Sequence, residues 1–235
     1  MKELAIFGST GSIGCSTLNV VRRERDRFAV SILTAGHNLQ RLTEQIREFT
    51  PRHVYILEKH DAEALREQFP GLDVYWGAEG MDAISRLTDF DIGVSALVGV
   101  AGLRPTWNMI QNGKTVALAN KEVLVAGGRL VMEAAKECRA TLLTVDSEHS
   151  AIMQCLRGEK HAEIERILLT ASGGPFFEKE ITDDITPEAA LRHPTWKMGP
   201  KITIDSATMM NKGFEVIEAC LLYTSPSPRD RTRSR

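Results

Sequence analysis

From residue 4 onward, short apolar runs alternate with amphipathic stretches, and the first connection between them is rich in glycine. No other feature narrows the range of possible folds as far. Residues 4–7, 28–33, 53–57, 72–75, 92–94, 115–119 and 140–145 have the length and composition of strands. Helical patterns lie between them: one running through Val20 and Val21, one over 39–49 stopped by Pro51, one over 61–69 with Asp61 as its N-cap, and one over 122–137. Strand–helix units repeated in this way bury both faces of a sheet whose strands run parallel. The expected class is therefore α/β, a doubly wound parallel sheet.

Past residue 147 the texture changes. A strand is expected over 164–170, an irregular Pro- and Trp-containing stretch over 186–200, a strand over 201–204, and a helix over about 207–219. We therefore expect a nucleotide-binding domain over 1–146 and a truncated α/β substrate domain over 147–222. Residues 223–235 are Ser, Pro, Arg and Thr with almost no apolar content, so they are expected to be a disordered tail. An RNA-binding arm is the weak alternative for this tail, and a translated adapter sequence the stronger one. The 235 residues carry a formal net charge of -2, which argues against nucleic acid as a main partner. Apolar runs are strand-sized, so no membrane segment is expected. Met1-Lys2-Glu3 leads straight into a strand, so neither a secretory nor a transit peptide is expected and the location is read as cytoplasmic. Cys15, Cys138, Cys155 and Cys220 form no Cys-x-x-Cys pair and read as free thiols.

Gly8-Ser9-Thr10-Gly11-Ser12-Ile13-Gly14 follows the first strand and opens the first helix. Glycines there allow a tight turn and a close approach of the backbone, so that amide N–H groups can cradle a pyrophosphate. The spacing is G-x-x-G-x-x-G rather than G-x-G-x-x-G, and a purely structural turn is the alternative. NAD-selective folds place an acid at the end of the second strand to grip the ribose 2′-hydroxyl. Here that region reads Leu33-Thr34-Ala35-Gly36-His37-Asn38, without an acid, which favours NADPH.

Asp146 and Glu148 close the apolar run 140–145, which reads as a buried strand. Positions i and i+2 on a strand share a side, so the two carboxylates can converge at its C-terminal end. Like charges held close call for a hard divalent cation, Mg²⁺ or Mn²⁺. The plainer alternative is an acidic turn in which Asp146 or Ser147 caps a helix. Glu215 would complete a set of three carboxylates. It shares a helical face with Asn211 at i and i+4, beside Lys212, with Ser206 at the helix start. Lys121 suits a substrate oxygen or phosphate, with Asn120 and Glu122 toward a nicotinamide or, alternatively, capping the next helix. Ser172, in Ser172-Gly173-Gly174-Pro175, offers a phosphate contact or a simple turn. His193 through Gly199, with Trp196 and Met198, suits a lid or an exposed loop.

Together these motifs resemble one family. GSTGSIG at 8–14, ANKE at 119–122, DSEHSAI at 146–152, SGGPF at 172–176, HPTWKMG at 193–199 and DSATMMNKGFE at 205–215 stand in the order found in 1-deoxy-D-xylulose 5-phosphate reductoisomerases. The resemblance covers residues 1 to about 221. It implies a Rossmann-like nucleotide domain and an enzyme dependent on NADPH and a divalent metal, Mn²⁺ or Mg²⁺ with Co²⁺ a third candidate. Such an enzyme rearranges and then reduces a small phosphorylated sugar, and is a homodimer when full length. By motif position, the resemblance implies Asp146, Glu148 and Glu215 as metal ligands. Substrate contacts would be Lys121, Ser147, Glu148, Ser172, His193, Ser206, Asn211, Lys212 and Glu215. NADPH contacts would be Thr10, Gly11, Ser12, Ile13, Gly36, His37, Asn38, Asn120, Glu122 and Gly199. Family chains continue past this point into the rest of the catalytic domain and a helical domain, which leaves the activity of the shorter chain an open expectation. Apart from the resemblance, the residues also admit an ordinary NADP-dependent dehydrogenase or a non-catalytic nucleotide-binding module.

Overall fold

Seven parallel strands, β1 (Lys2–Phe7), β2 (Phe28–Thr34), β3 (His53–Ile56), β4 (Asp73–Trp76), β5 (Ile92–Ser95), β6 (Thr115–Leu118) and β7 (Thr141–Thr144), form one sheet in the order β4-β3-β2-β1-β5-β6-β7. The chain moves outward from β1 to one edge, then returns to β1's other side at β5. That reversal creates the crevice at which open sheets of this kind bind ligands. In the computed structural model, residues 1–160 and 163–223 are described. The chain divides into two units, Met1–Val145 and a second from Asp146 onward.

The first unit follows the hydrophobic periodicity. Helices α1 (Ser12–Arg23), α2 (Leu39–Phe49), α3 (Lys59–Gln68), α4 (Gly77–Ser85), α5 (Leu103–Gln111) and α6 (Glu122–Glu137) connect the strands, with a short 3-10 turn over Gly99–Gly102. Ile6, Leu33, Leu42, Val54, Ile56 and Leu65 are fully buried in one continuous core with Leu4, Leu18, Val30 and Ile46. Each such side chain contributes about 1.5–3 kcal/mol relative to exposure.

Several expectations need correcting. Asp61 is not an N-cap: α3 starts at Lys59 and Asp61 sits in its first turn, where it still favours the helix dipole. The run ending in β7 is an edge strand that, among the described residues, pairs with β6 alone, and Leu143 and Val145 are each 36% exposed rather than buried. Helix α6 kinks at Gly128, whose φ of 38° is not helical.

In the second unit, α7 (Ser147–Cys155), α8 (Pro187–Ala190), α9 (Pro200–Ala207) and α10 (Met210–Leu222) are joined by long irregular stretches. The strand expected over 201–204 is helix α9 instead. Gly199 caps it and Pro200 occupies its first turn, a position where the missing proline N–H costs nothing. The strand expected over 164–170 is absent, since no ladder partner stands beside it among the described residues. Helix α10 begins at Met210, not 207, because Met209 adopts a left-handed φ of 61°. Of the tail expected over 223–235, Tyr223 is described and packs, its hydroxyl donating to the His149 carbonyl at 2.8 Å, while 224–235 lie outside the described residues. No helix among the described residues is long and apolar enough to cross a membrane.

Candidate active site: a glycine loop and a carboxylate cluster

The glycine loop sits at the strand reversal of the first unit. Gly8 has φ +95°, and a Cβ there would lie 2.7 Å from the Ala96 carbonyl oxygen just past β5. Gly14 admits no side chain either, since a Cβ would run into the Gly8 carbonyl and the Ser9 backbone. Neutral hydrogen bonds strap the loop down. The Gly8 amide donates to Thr34 Oγ1 at 2.9 Å and the Ser9 amide to the Thr34 carbonyl at 2.8 Å. Ser9 Oγ donates to Gln45 Oε1 at 2.7 Å, and Gln45 Nε2 donates back to the Ser9 carbonyl at 2.9 Å. Gln45 was not foreseen in the sequence, although it shares the buried face of α2 with Leu42, Ile46 and Phe49.

Thr10 is half-buried, while Gly11, Ser12 and Ile13 are exposed where α1 begins. The first amides of a helix have no intrahelical acceptor, so this edge is suited to phosphate. Gly36, His37 and Asn38 form an exposed rim after β2. Asn38 is also the N-cap of α2, accepting from the Arg41 amide at 3.0 Å.

Asn120, Lys121 and Glu122 follow β6. Lys121, rather than Asn120, stands at the N-cap of α6. Asn120 is 3% exposed and its Nδ2 donates to the carbonyls of Leu97 at 2.7 Å and Gly99 at 2.8 Å. Its Oδ1 is buried without a hydrogen-bond partner among the described residues. An orphaned buried acceptor usually marks a missing donor, and a nicotinamide carboxamide N–H would fit. Lys121 is 5% exposed and Glu122 is half-buried.

In the second unit, Asp146 and Glu148 are not side by side on a strand. Asp146 is the N-cap of α7, its side chain accepting from the Ser147 amide at 3.0 Å, and Glu148 lies in the helix's first turn. Helix capping and carboxylate clustering, posed as alternatives, therefore coexist. Asp146, Glu148 and Glu215 each place a carboxylate oxygen within 4.8 Å of the others. Glu215 is 1% exposed. The Lys212 ammonium donates to Glu148 Oε1 at 3.1 Å, and also to Glu215 Oε2 and the Thr170 carbonyl. Asn211 Nδ2 donates to Glu215 Oε1 at 2.5 Å, and Ser147 Oγ donates to Glu148 Oε2 at 2.6 Å. Burial pushes the Glu148 carboxyl up, but the hydrogen bonds from Ser147 and Lys212 outweigh it and hold the group below its ordinary value.

Three carboxylates, with the Lys212 ammonium among their partners, concentrate acidic oxygens in a small volume. A hard divalent cation would balance them, and the all-oxygen donor set fits Mg²⁺ or Mn²⁺. A cleft beside the cluster is lined by Glu148, Ser172, Gly173, Ser206, Asn211 and Lys212, so five of the expected substrate contacts converge. Gly174 permits this convergence: with φ +71°, it brings its loop to where a Cβ would lie 2.7 Å from the Ser206 carbonyl oxygen. His193 reaches the same group through Ser172. Its Nδ1 accepts from the amides of Thr195 at 3.1 Å and Trp196 at 2.9 Å, so Nε2 carries the proton and donates to Ser172 Oγ at 3.1 Å. Trp196 is 56% exposed, and Gly199 caps α9.

One turn beyond Glu215, a second buried pair was missed in the sequence. Glu218 Oε2 lies 3.1 Å from His149 Nε2, with the two side chains 1% and 0% exposed. The i+3 spacing from Glu215 was the available signal. A larger concavity of about 500 Å³ runs along β4 and α4, from Arg66 to Trp76 and Ala83, and holds none of the residues singled out in the sequence.

Known proteins resemble this chain in sequence and in fold. The family model for 1-deoxy-D-xylulose 5-phosphate reductoisomerase matches residues 4–128, and the model for that enzyme's C-terminal domain matches residues 142–223. The chain is 52% identical over 233 residues to the 1-deoxy-D-xylulose 5-phosphate reductoisomerase of Chlorobium phaeobacteroides, which covers 97% of this chain and 61% of that protein. Against the Thermoanaerobacter pseudethanolicus protein of the same name it is 52% identical over 226 residues, covering 95% and 59%. A solved DOX-P reductoisomerase in complex with NADPH, fosmidomycin and magnesium superposes with a TM-score of 0.89 at 39% identity, over 95% of this chain and 58% of that one. The Zymomonas mobilis enzyme in complex with NADPH gives 0.86 at 40% identity, over 96% and 59%. The chain thus spans about three fifths of the length of these relatives. It belongs to the 1-deoxy-D-xylulose 5-phosphate reductoisomerase family.

Proposed function

We propose that this chain carries the nucleotide- and metal-binding machinery of an NADPH-dependent 1-deoxy-D-xylulose 5-phosphate reductoisomerase. The reaction is a skeletal rearrangement of the phosphorylated sugar followed by hydride reduction, giving 2-C-methyl-D-erythritol 4-phosphate. The observation that carries this reading is the cluster of Asp146, Glu148 and Glu215, ringed by Lys212, Asn211, Ser206 and Ser172. A simple dehydrogenase needs no such set.

Asp146, Glu148 and Glu215 would hold the divalent cation. When bound, it supplies Lewis acidity toward the substrate's oxygens and a template for their orientation. The remaining residues position. Ser172, Ser206, Asn211 and Lys212 present hydroxyl, amide and ammonium donors, a set that suits a phosphate and ties down one end of a small mobile molecule. His193, with its proton on Nε2, orients the Ser172 hydroxyl. Lys121 is a further substrate contact, and residues 193–199 would act as a lid that excludes water. In the first unit, Thr10 to Ile13 would take the pyrophosphate, Gly36 to Asn38 the adenosine side, and Asn120 and Glu122 the nicotinamide side, with NADPH as hydride donor. The same reading makes the full-length protein a cytoplasmic homodimer acting on a small molecule, not on nucleic acid or membrane.

The test is Mn²⁺ binding by isothermal titration calorimetry, paired with NADPH consumption on 1-deoxy-D-xylulose 5-phosphate by a full-length version. Changing an outer partner of a metal ligand costs roughly 10- to 100-fold in affinity. Glu215→Gln should therefore cost more than about 100-fold in Mn²⁺ affinity, and a chelator should stop turnover. Unchanged Mn²⁺ binding by the variant, or turnover that survives the chelator, would overturn the proposal.

A further inference from the structure

We propose that Arg41 selects NADPH over NADH by taking the cofactor's 2′-phosphate. The inference rests on reading the glycine loop as the dinucleotide site. Arg41 lies in the first turn of α2, and its Nη1 donates to the Thr10 carbonyl at 3.3 Å, directly above the loop. One turn further along the same face, Gln45 is buried and exchanges two hydrogen bonds with Ser9. That pair fixes α2 against the loop and so fixes where Arg41 projects. The guanidinium itself is on the exposed side. Its Nε and Nη2 have no hydrogen-bond partner among the described residues, and no carboxylate pairs with it there.

The surrounding charges point the same way. Neither the loop, residues 8–14, nor the stretch 34–41 contains an Asp or Glu. NAD-selective sites of this fold use an acid at the end of β2 to hold the 2′-hydroxyl, and phosphate-accepting sites use a nearby arginine. Of the other candidates on this rim, Asn38 already spends its Oδ1 on capping α2, and His37 carries a full charge only when protonated. Arg41 is always charged, and the fork of unused donors it presents matches the geometry of a phosphate.

Calorimetric titration of the whole chain with 2′,5′-ADP and with 5′-AMP, which lacks the 2′-phosphate, isolates this group without any turnover. A charge-assisted hydrogen-bonding group of this kind corresponds to roughly a 10- to 100-fold change in affinity. Arg41→Gln should weaken 2′,5′-ADP by that factor and leave 5′-AMP within about 2-fold. Arg41→Lys, a point charge, should recover part of the loss. The affinity ratio of NADPH to NADH should fall by the same factor in Arg41→Gln. Equal losses for both probes would show that Arg41 merely props the Thr10 carbonyl, and would overturn the proposal. Wild-type binding of both probes with no change in Arg41→Gln would overturn this inference alone. Wild-type binding of neither would overturn the dinucleotide reading along with it.

Discussion

The glycine loop of the first unit and the carboxylate cluster of the second hold chemically useful groups in place by opposite means. Behind the loop stands an apolar core, with Ile6, Leu18 and Leu42 each at most 2% exposed. The polar atoms that fix it, Ser9, Thr34 and Gln45, are neutral and satisfy one another. The cluster is built from charge: Glu215 is 1% exposed, and Lys212 answers two carboxylates at once. Burying neutral, paired groups costs little, whereas burying ions costs several kcal/mol each before their mutual attraction offsets it. The loop should therefore tolerate loss of a partner better than the cluster does. Its own weakness is steric, because its backbone segments approach too closely for side chains.

The sharpest way to break this contrast is Glu218→Ala. Removing one partner of a buried polar pair leaves the other stranded, at a cost of about 1–3 kcal/mol, and more for a charged group. Urea unfolding followed by circular dichroism should show a loss of that size. The double change His149→Leu with Glu218→Leu should recover most of it, since apolar replacements of buried pairs are often neutral or stabilising. A single-variant loss under about 1 kcal/mol would mean that the pair is not what holds this end of α10. Gly14→Ala probes the loop's steric weakness. The added methyl meets backbone atoms that have nowhere to go, and overpacking of this kind costs about 1–3 kcal/mol. A larger effect at Gly14 than at Glu218 would invert the comparison.

The two regions also differed in how much of them could be read in advance. Both α2 over 39–49 and α6 over 122–137 were bounded correctly from apolar periodicity and glycine or proline punctuation. That signal exists because the first unit is organised by apolar burial. In the second unit the same signal misled. Ile202-Thr203-Ile204 is a β-branched run that reads as a strand, yet Gly199 and Pro200 start a helix there and local capping prevails. The kink at Gly128 left no trace, because an isolated glycine is tolerated in a helix. The carboxylates were found by residue type and spacing, but their relation was misjudged. Asp146 and Glu148 meet through the first turn of α7 rather than along a strand. Lys212 was read as a substrate contact only; its i,i+3 pairing with Glu215 lies within α10, whereas its pairing with Glu148, 64 residues away, required knowing that α7 and α10 converge. Charge pairs across long stretches of chain have no period, so nothing in a single sequence announces them.

The smallest effect separates the two regions by pH. The Glu148 carboxyl is held below its ordinary value of 4.5 by Ser147 and Lys212, which outweigh the opposing push of burial. A carboxyl with a lowered folded pKa adds stability that is fully present above the unfolded value and disappears as pH falls through the folded one. The cluster should therefore lose stability progressively below about pH 4.5. Ser147→Ala removes one of the two side-chain hydrogen bonds responsible, at a cost of about 0.5–1.5 kcal/mol at neutral pH. Because the depressed pKa would move back toward 4.5, the variant should also lose stability less steeply between pH 4.5 and pH 3 than the wild type, as read from urea midpoints across that range. Residues 8–14 contain no titratable side chain, so Gly14→Ala should lower the whole curve without altering its slope. If Gly14→Ala changed the slope, or Ser147→Ala left it unchanged, the assignment of charge to one region and neutral packing to the other would fail.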